Sequence, residues 1–338
     1  MPRWHSLFLA ALLAACAPTL QPLGPSVQEP SMNSTSYVTP DGVSLPLRRW
    51  LPEKEKPEAV VLALHGFNDY SRSFDMPARA WQAAGIATYA YDQRGFGQSA
   101  QPGIWAGQET LASDVRAAAL ALRRMYPEIP LYVLGESMGG AMVIHTLTSG
   151  EGFRAAQPDG FILSAPATWG RETMPVLHRL ALWVTLRTIP GVSFRPPQDL
   201  NIRATDNLEV LKDLGNDPLF LKGSRVDTLA GLVDLMDSAL AAAPQLSGTP
   251  PMLVLYGHHE EVLESGSVKT FLSRLPESGT GGPVIASYEN GWHMLMRDLQ
   301  APVVWKDLAA WMESRGSIPL PSGADRVAWK SLKKTARR

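Results

Sequence analysis

Gly135-Glu136-Ser137-Met138-Gly139-Gly140 is the segment of this 338-residue chain best suited to covalent chemistry. It follows the apolar run Leu131–Leu134 and precedes a helical run at 138–149. A serine on a sharp strand-to-helix turn is forced into strained backbone geometry, so the residues two before and two after it must be small. Gly135 and Gly139 meet that need, and Gly140 adds another small residue. Such a turn lifts the hydroxyl above the sheet edge, and the helix N-terminus below it favours developing negative charge. The chemistry that fits is attack by Ser137 on a carbonyl carbon.

That reaction needs four further groups. Two N–H donors must converge on the developing oxyanion. The backbone of Met138 supplies one. The loop His65-Gly66-Phe67-Asn68-Asp69, directly after an early strand, offers the Phe67 N–H as the other. Gly66 lets the chain approach a substrate closely, and His65 reads as a structural histidine rather than a base. The base is expected late in the chain, where Glu289-Asn290-Gly291-Trp292-His293 follows the last strand. His145, on the helix after Ser137, and His178 are weaker candidates. In the chain order serine, acid, histidine, the acid belongs on the loop after Met252–Tyr256. That loop reads Gly257-His258-His259-Glu260-Glu261-Val262, and no aspartate lies between 238 and 297. The carboxylate is therefore Glu260, with Glu261 as runner-up. The His-His-Glu-Glu run also has metal-ligand residue types, but a proton relay already accounts for it. No cofactor is needed.

Strands and helices must alternate to hold these groups. Apolar runs at 59–64, 86–91, 131–134, 161–164, 252–256 and 284–288 read as strands. Helical patterns at 73–84, 110–125, 138–149 and 301–314 fall between or after them. Tyr37–Leu51 reads as a hairpin around Pro40-Asp41-Gly42. The expected class is α/β, a mostly parallel sheet with helices on both faces. Residues 171–250 break the rhythm with a dense apolar stretch (Met174, Leu177, Leu180, Trp183, Leu186) and then acidic helical segments; they are expected to form an inserted helical lid. The core is then 37–170 and 251–315.

The N-terminus is a separate signal. Arg3, an apolar run at 7–13 and Leu13-Ala14-Ala15-Cys16 read as a secretion signal over 1–15. The pattern resembles a bacterial lipobox, which implies that Cys16 is acylated. Cys16 is also the sole cysteine, so no disulfide forms within the chain. Residues 16–36, with Pro18, Pro22, Pro25 and Pro30, read as an extended tether. The tail 316–338 ends basic. Acyl chains would hold the protein on a membrane surface without spanning it. The expected location is the bacterial cell envelope, lipid-anchored in the outer membrane and facing the periplasm. A net charge of −1 gives no reason to expect a nucleic-acid partner.

Taken together, His65-Gly66, Asp92-Gln93-Arg94-Gly95-Phe96-Gly97-Gln98-Ser99, the Ser137 segment, Gly257 to Val262 and Gly291-Trp292-His293 resemble the monoacylglycerol lipase, lysophospholipase and serine aminopeptidase branch of the α/β-hydrolases. The resemblance spans roughly 37–315. It implies the α/β-hydrolase fold and a lid that shapes an acyl pocket. It also implies structural roles for Asp92 and Arg94 in bracing loops near the turn. The branch has an aspartate where Glu260 stands. The leading expectation is hydrolysis of monoacylglycerol, lysophospholipid or similar lipid esters through an acyl-enzyme. The alternatives are an aminopeptidase, whose free-amine substrate needs lid carboxylates such as Asp206, Glu209, Asp213, Asp227, Asp234 and Asp237, and a non-catalytic tethered binding protein on the same scaffold.

Overall fold

Ala59–Leu64 is six consecutive buried apolar residues, which only a strand covered on both faces can hide. Val60, Leu62 and Leu64 point to one side of the sheet, Val61 and Ala63 to the other. In the computed structural model, which describes residues 17–54, 56–195, 202–246, 250–277 and 281–327, this strand is the fourth of nine in one sheet. The strands are β1 (Ser31–Met32), β2 (Ser36–Val38), β3 (Ser44–Trp50), β4 (Ala59–Leu64), β5 (Ile86–Tyr91), β6 (Leu131–Glu136), β7 (Gly160–Ser164), β10 (Met252–Gly257) and β11 (Val284–Tyr288); β8 (Ser193–Phe194) and β9 (Ser224–Arg225) form a separate pair. The order is β1-β2-β3-β5-β4-β6-β7-β10-β11. Strands β5 to β11 in that order run parallel, while β1, β2 and β3 join antiparallel at one edge. The α/β class and the parallel sheet expected from the sequence are what is found.

Two helix layers cover the sheet. One contains α1 (Asp75–Ala83) and α8 (Ala301–Glu313), packed through Ala78, Trp81, Val304, Leu308 and Trp311. The other contains α2 (Gln108–Met125), α3 (Met138–Thr148), α6 (Val226–Ala242) and α7 (Ser265–Arg274). Outside them stand α4 (Val176–Thr188) and α5 (Leu208–Asn216), neither with a buried residue. The span 171–250 expected as a lid is thus divided. Helix α6 buries Val233, Leu235, Met236, Ala239 and Leu240 against the core and packs on α3. Asp234 and Asp237 lie on its outer side while Asp227 is buried in the first turn, so composition alone made a core helix resemble a surface one. Helix α7 carried no separate expectation; Glu264 caps it by accepting the Ser267 N–H at 2.9 Å.

The described part of the expected tether is extended, yet it lies on the body. The Gln21 N–H donates to Trp105 O at 2.9 Å, the Val27 N–H to Pro40 O at 2.8 Å, and Ser31–Met32 joins the sheet. The segment is a strap rather than a free spacer. The leader 1–15, Cys16 and the basic residues from Lys330 onward lie outside the described residues. The start of the tail is packed, with Leu320 and Ala324 buried.

Candidate active site

β6 passes straight into α3 through Ser137, whose backbone takes φ 54° and ψ −114°. A non-glycine residue there stores roughly 1–3 kcal/mol of strain. The Ser137 N–H donates to Ser164 O and its carbonyl accepts from Ala167 N–H, each at 2.9 Å, so the turn is held from β7's end. The glycine requirement is steric. A Cβ on Gly135 would stand 2.3 Å from Gly139 O, and one on Gly139 would stand 2.1 Å from Leu64 O. Any side chain at either position would push the serine off the sheet edge.

The loop after β4 passes over that serine: a Cβ on Gly66 would be 3.4 Å from Ser137 Cβ and 4.0 Å from its Oγ. His65 explains how the loop is aimed. It is fully buried, its Nε2 accepts the Gln93 N–H at 3.0 Å, and its Nδ1–H donates to Gly66 O at 2.8 Å. Burial lowers its pKa, which keeps the ring neutral. The Gly66 carbonyl and the Phe67 N–H belong to one trans peptide and point in opposite directions. With the carbonyl held by His65, the Phe67 N–H faces away from that ring. The Met138 N–H is the first of α3 and has no acceptor within the helix. Both expected donors therefore lie on elements that flank Ser137.

The loops after β10 and β11 are locked together. The His258 N–H donates to Tyr288 O at 2.9 Å and the His259 N–H to Gly291 O at 2.8 Å; a Cβ on Gly257 would meet Gly291 C at 2.3 Å. This brings His293 and Glu260 into contact, with His293 Nδ1–H donating to Glu260 Oε2 at 2.7 Å. The other Glu260 oxygen accepts the N–H groups of Val262 and Leu263 at 2.8 and 2.9 Å. Glu261 points elsewhere and accepts the Arg203 N–H at 2.9 Å. Burial acts to lower the His293 pKa, but the charge and hydrogen bond of Glu260, with Glu136 behind them, more than offset it and raise the pKa above the usual histidine value.

A second group went unnoticed in the sequence. Arg297 is buried, with Nη1 2.7 Å from Asp69 Oδ2 and Nη2 3.4 Å from Glu136 Oε2. One side chain from the histidine loop thus holds both the Phe67 loop and the residue before Ser137. Burial works to raise the Glu136 pKa, with Arg297 opposing it. Asp298 accepts the Trp292 N–H at 2.7 Å beside His293, and burial pushes its carboxyl up to about 7. The signal was present as charged residues inside two motifs, Asp69 and Glu136, where solvent exposure is scarce. The Asp92–Ser99 segment braces: Arg94 binds Asp114 and Asp41, Asp92 accepts the N–H groups of Ser71 and Gln98, and Gln93 holds His65.

The arrangement has a strained serine, a histidine oriented by a buried carboxylate, and backbone donors on both sides. These are the parts of acyl transfer. Comparison with known proteins agrees. Residues 55–300 match the family described as serine aminopeptidase, S33. The chain is 27% identical over 292 residues to the monoglyceride lipase of Homo sapiens, covering 85% of this chain and 92% of that protein. It is 26% identical over 286 residues to the monoacylglycerol lipase of Mycolicibacterium smegmatis, covering 82% and 96%. Its fold matches a soluble variant of monoglyceride lipase from Saccharomyces cerevisiae with a TM-score of 0.69, at 16% identity, over 89% of this chain and all of that one.

Proposed function

The chain belongs to the serine aminopeptidase S33 family, and on that premise we propose that it hydrolyses monoacylglycerols, lysophospholipids or closely similar lipid esters with Ser137, His293 and Glu260 as its catalytic residues. It is a carboxylic ester hydrolase. The observation that carries the residue assignment is the 2.7 Å contact between His293 and Glu260, built on loops at the same sheet edge as the strained Ser137.

In this reading Ser137 Oγ attacks the ester carbonyl while His293 Nε2 takes its proton. Glu260 keeps the other ring nitrogen protonated and stabilises the imidazolium. The oxyanion is received by the N–H groups of Phe67 and Met138. His293 then protonates the departing alcohol. A water, activated by the same histidine, cleaves the acyl-enzyme and frees the fatty acid. Helices α4 and α5 are read as the lid over the acyl site. The leader and Cys16 support an acylated enzyme held in a bacterial envelope, at the outer membrane and facing the periplasm.

The carboxylates that an aminopeptidase would turn on a free amine are largely committed. Asp234 and Asp237 pair with Arg171, Asp227 pairs with Arg225, and Asp206 accepts the Leu299 N–H. This favours esters. The test is a panel of monoacylglycerols, lysophospholipids, p-nitrophenyl esters and prolyl-anilides offered to the purified enzyme. Long-chain glycerol or lysophospholipid esters should be turned over fastest. Preference for the prolyl-anilides would overturn the reading.

A further inference from the structure

Helix α4 turns its apolar side the wrong way for a packed helix. Thr185 and Leu186, with Leu182, face inward, half-buried. Val176, Leu180 and Trp183 form the opposite stripe, flanked by Leu177 and Val184, and all five are exposed, Leu177 at 76% and Trp183 at 54%. Ile189, Val192 and Phe194 extend the exposed apolar surface past the helix end. The helix has no acidic residue; Arg179 and Arg187 are its charges, and Arg187 lies over the Trp183 ring at 4.2 Å. An exposed apolar patch on a helix whose own charges are both cationic fits an anionic lipid surface.

The strap ends at the first turn of α6, which holds the loop that follows α4. The Thr19 N–H donates to Asp227 Oδ2 at 3.0 Å. The Asp227 N–H in turn donates to Pro190 O, two residues beyond α4, at 3.0 Å, and the Val226 N–H donates to Val192 O at 3.1 Å. Burial opposes the charged form of Asp227, yet Arg225, Thr19 and Thr228 hold its pKa below the usual value. From there the strap is pinned along the body. Gln21 Nε2 donates to Ile104 O at 2.7 Å, and the Gly24 N–H donates to Asp41 Oδ2 at 3.1 Å. Only Ala17 and Pro18 lie between Cys16 and Thr19, a reach of at most about 10 Å.

We propose that residues 19–32 are a clamp that fixes the membrane anchor beside the end of α4, so that the outward face of α4 rests on the lipid bilayer. This rests on the reading that Cys16 is acylated. An unclamped segment of the same length would let the body drift roughly 20 Å from the surface. The clamp removes that freedom and keeps the lid at the source of an amphiphilic substrate.

The experiment uses the full acylated protein on vesicles of phosphatidylethanolamine and phosphatidylglycerol containing brominated lipid. Leu180→Cys introduces a single free thiol for a fluorophore, because Cys16 is the sole native cysteine. Lys54→Cys, next to Glu58 at the opposite edge of the sheet, serves as control. The probe at 180 should be quenched and the probe at 54 should not. Exchanging residues 19–28 for a glycine–serine segment of equal length should leave the protein on the vesicles and its hydrolysis of a soluble ester unchanged. Quenching at 180 should then drop about threefold or more. Gln21→Ala should give a smaller drop and serves if the exchanged segment does not fold. Equal quenching with and without the clamp overturns the proposal, as does a probe at 180 shielded by a second copy of the chain without vesicles. The anchor reading fails separately: if Cys16→Ser stays on the vesicles, the acyl anchor is wrong and the clamp falls with it.

Discussion

Two serine–histidine–glutamate sets can be compared among the described residues, interleaved in the chain and different in nearly everything except residue type: the one proposed for catalysis and a second on three helices. In one, His293 meets Glu260 beside the Ser137 turn. In the other, His145 Nδ1 is 2.8 Å from Ser238 Oγ and its Nε2–H donates to Glu109 Oε1 at 3.0 Å. By distances alone the second group looks complete. Its serine, however, sits inside the long helix α6, where the backbone N–H groups are already used by the helix. No turn lifts it and no free N–H pair faces it. Its glutamate is mostly exposed, whereas Glu260 is buried and held by two backbone N–H groups. The second group links α2, α3 and α6; the first is the one we propose for chemistry. Hydrogen-bond distance therefore does not define a catalytic group: strained backbone, oriented donors and a buried acid do.

Serine removal gives the largest contrast. Ser137→Ala should lower ester hydrolysis by at least about 10⁴-fold and abolish labelling by an organophosphonate probe. Ser238→Ala should leave turnover within about twofold of the parent, since it touches no reacting atom. Retained labelling in Ser137→Ala, or its loss in Ser238→Ala, would reverse the assignment of the two groups.

The carboxylates come next. Glu260→Gln should cost about 10³–10⁴-fold in kcat, because an amide cannot stabilise the imidazolium and can favour the wrong tautomer. Glu109→Gln and Glu261→Gln should remain near parental activity. Near-normal turnover in Glu260→Gln would place the acid elsewhere. A third variant tests what links the loops. Arg297→Met leaves Asp69 and Glu136 as buried, unpaired carboxylates, so roughly 3–5 kcal/mol of stability should be lost in thermal or denaturant unfolding. Activity per folded molecule should also fall, by about 10²-fold, if Arg297 through Asp69 sets the Phe67 donor.

The comparison also shows what was readable beforehand. The Ser137 turn was legible because its constraint is local: two glycines and a strand-to-helix change stand within six residues. The parallel sheet was legible from the continuous apolar runs. Arg297 was not, since its partners are 228 and 161 residues away and nothing local marks a buried guanidinium. Helix α6 was hidden by the acidic residues on its outer stripe, and the strap by prolines that serve a docked extended segment as well as a free one. Even Ser238 and His145 lie on separate helices, so only packing brings them together.

The smallest effect discriminates best between the histidines. Both are buried, and burial lowers the pKa of each. For His145 burial wins, because water screens the exposed Glu109. For His293 the buried Glu260 and its hydrogen bond win, with help from Glu136, and the pKa rises. The two should titrate on opposite sides of the ordinary histidine value, His145 below and His293 above, when followed by NMR of the ring protons. Catalysis needs His293 neutral, so kcat/KM should fall as pH drops through its raised pKa. Stability has the opposite sign: the favourable charged contact with Glu260 is present at pH values where His293 is protonated, and is lost as pH rises through the folded-state pKa of His293. In Glu260→Gln the His293 titration should move down toward that of His145, and the acid limb of kcat/KM should move with it. An acid limb that stays in place would mean that the histidine governing the rate is not the one Glu260 holds.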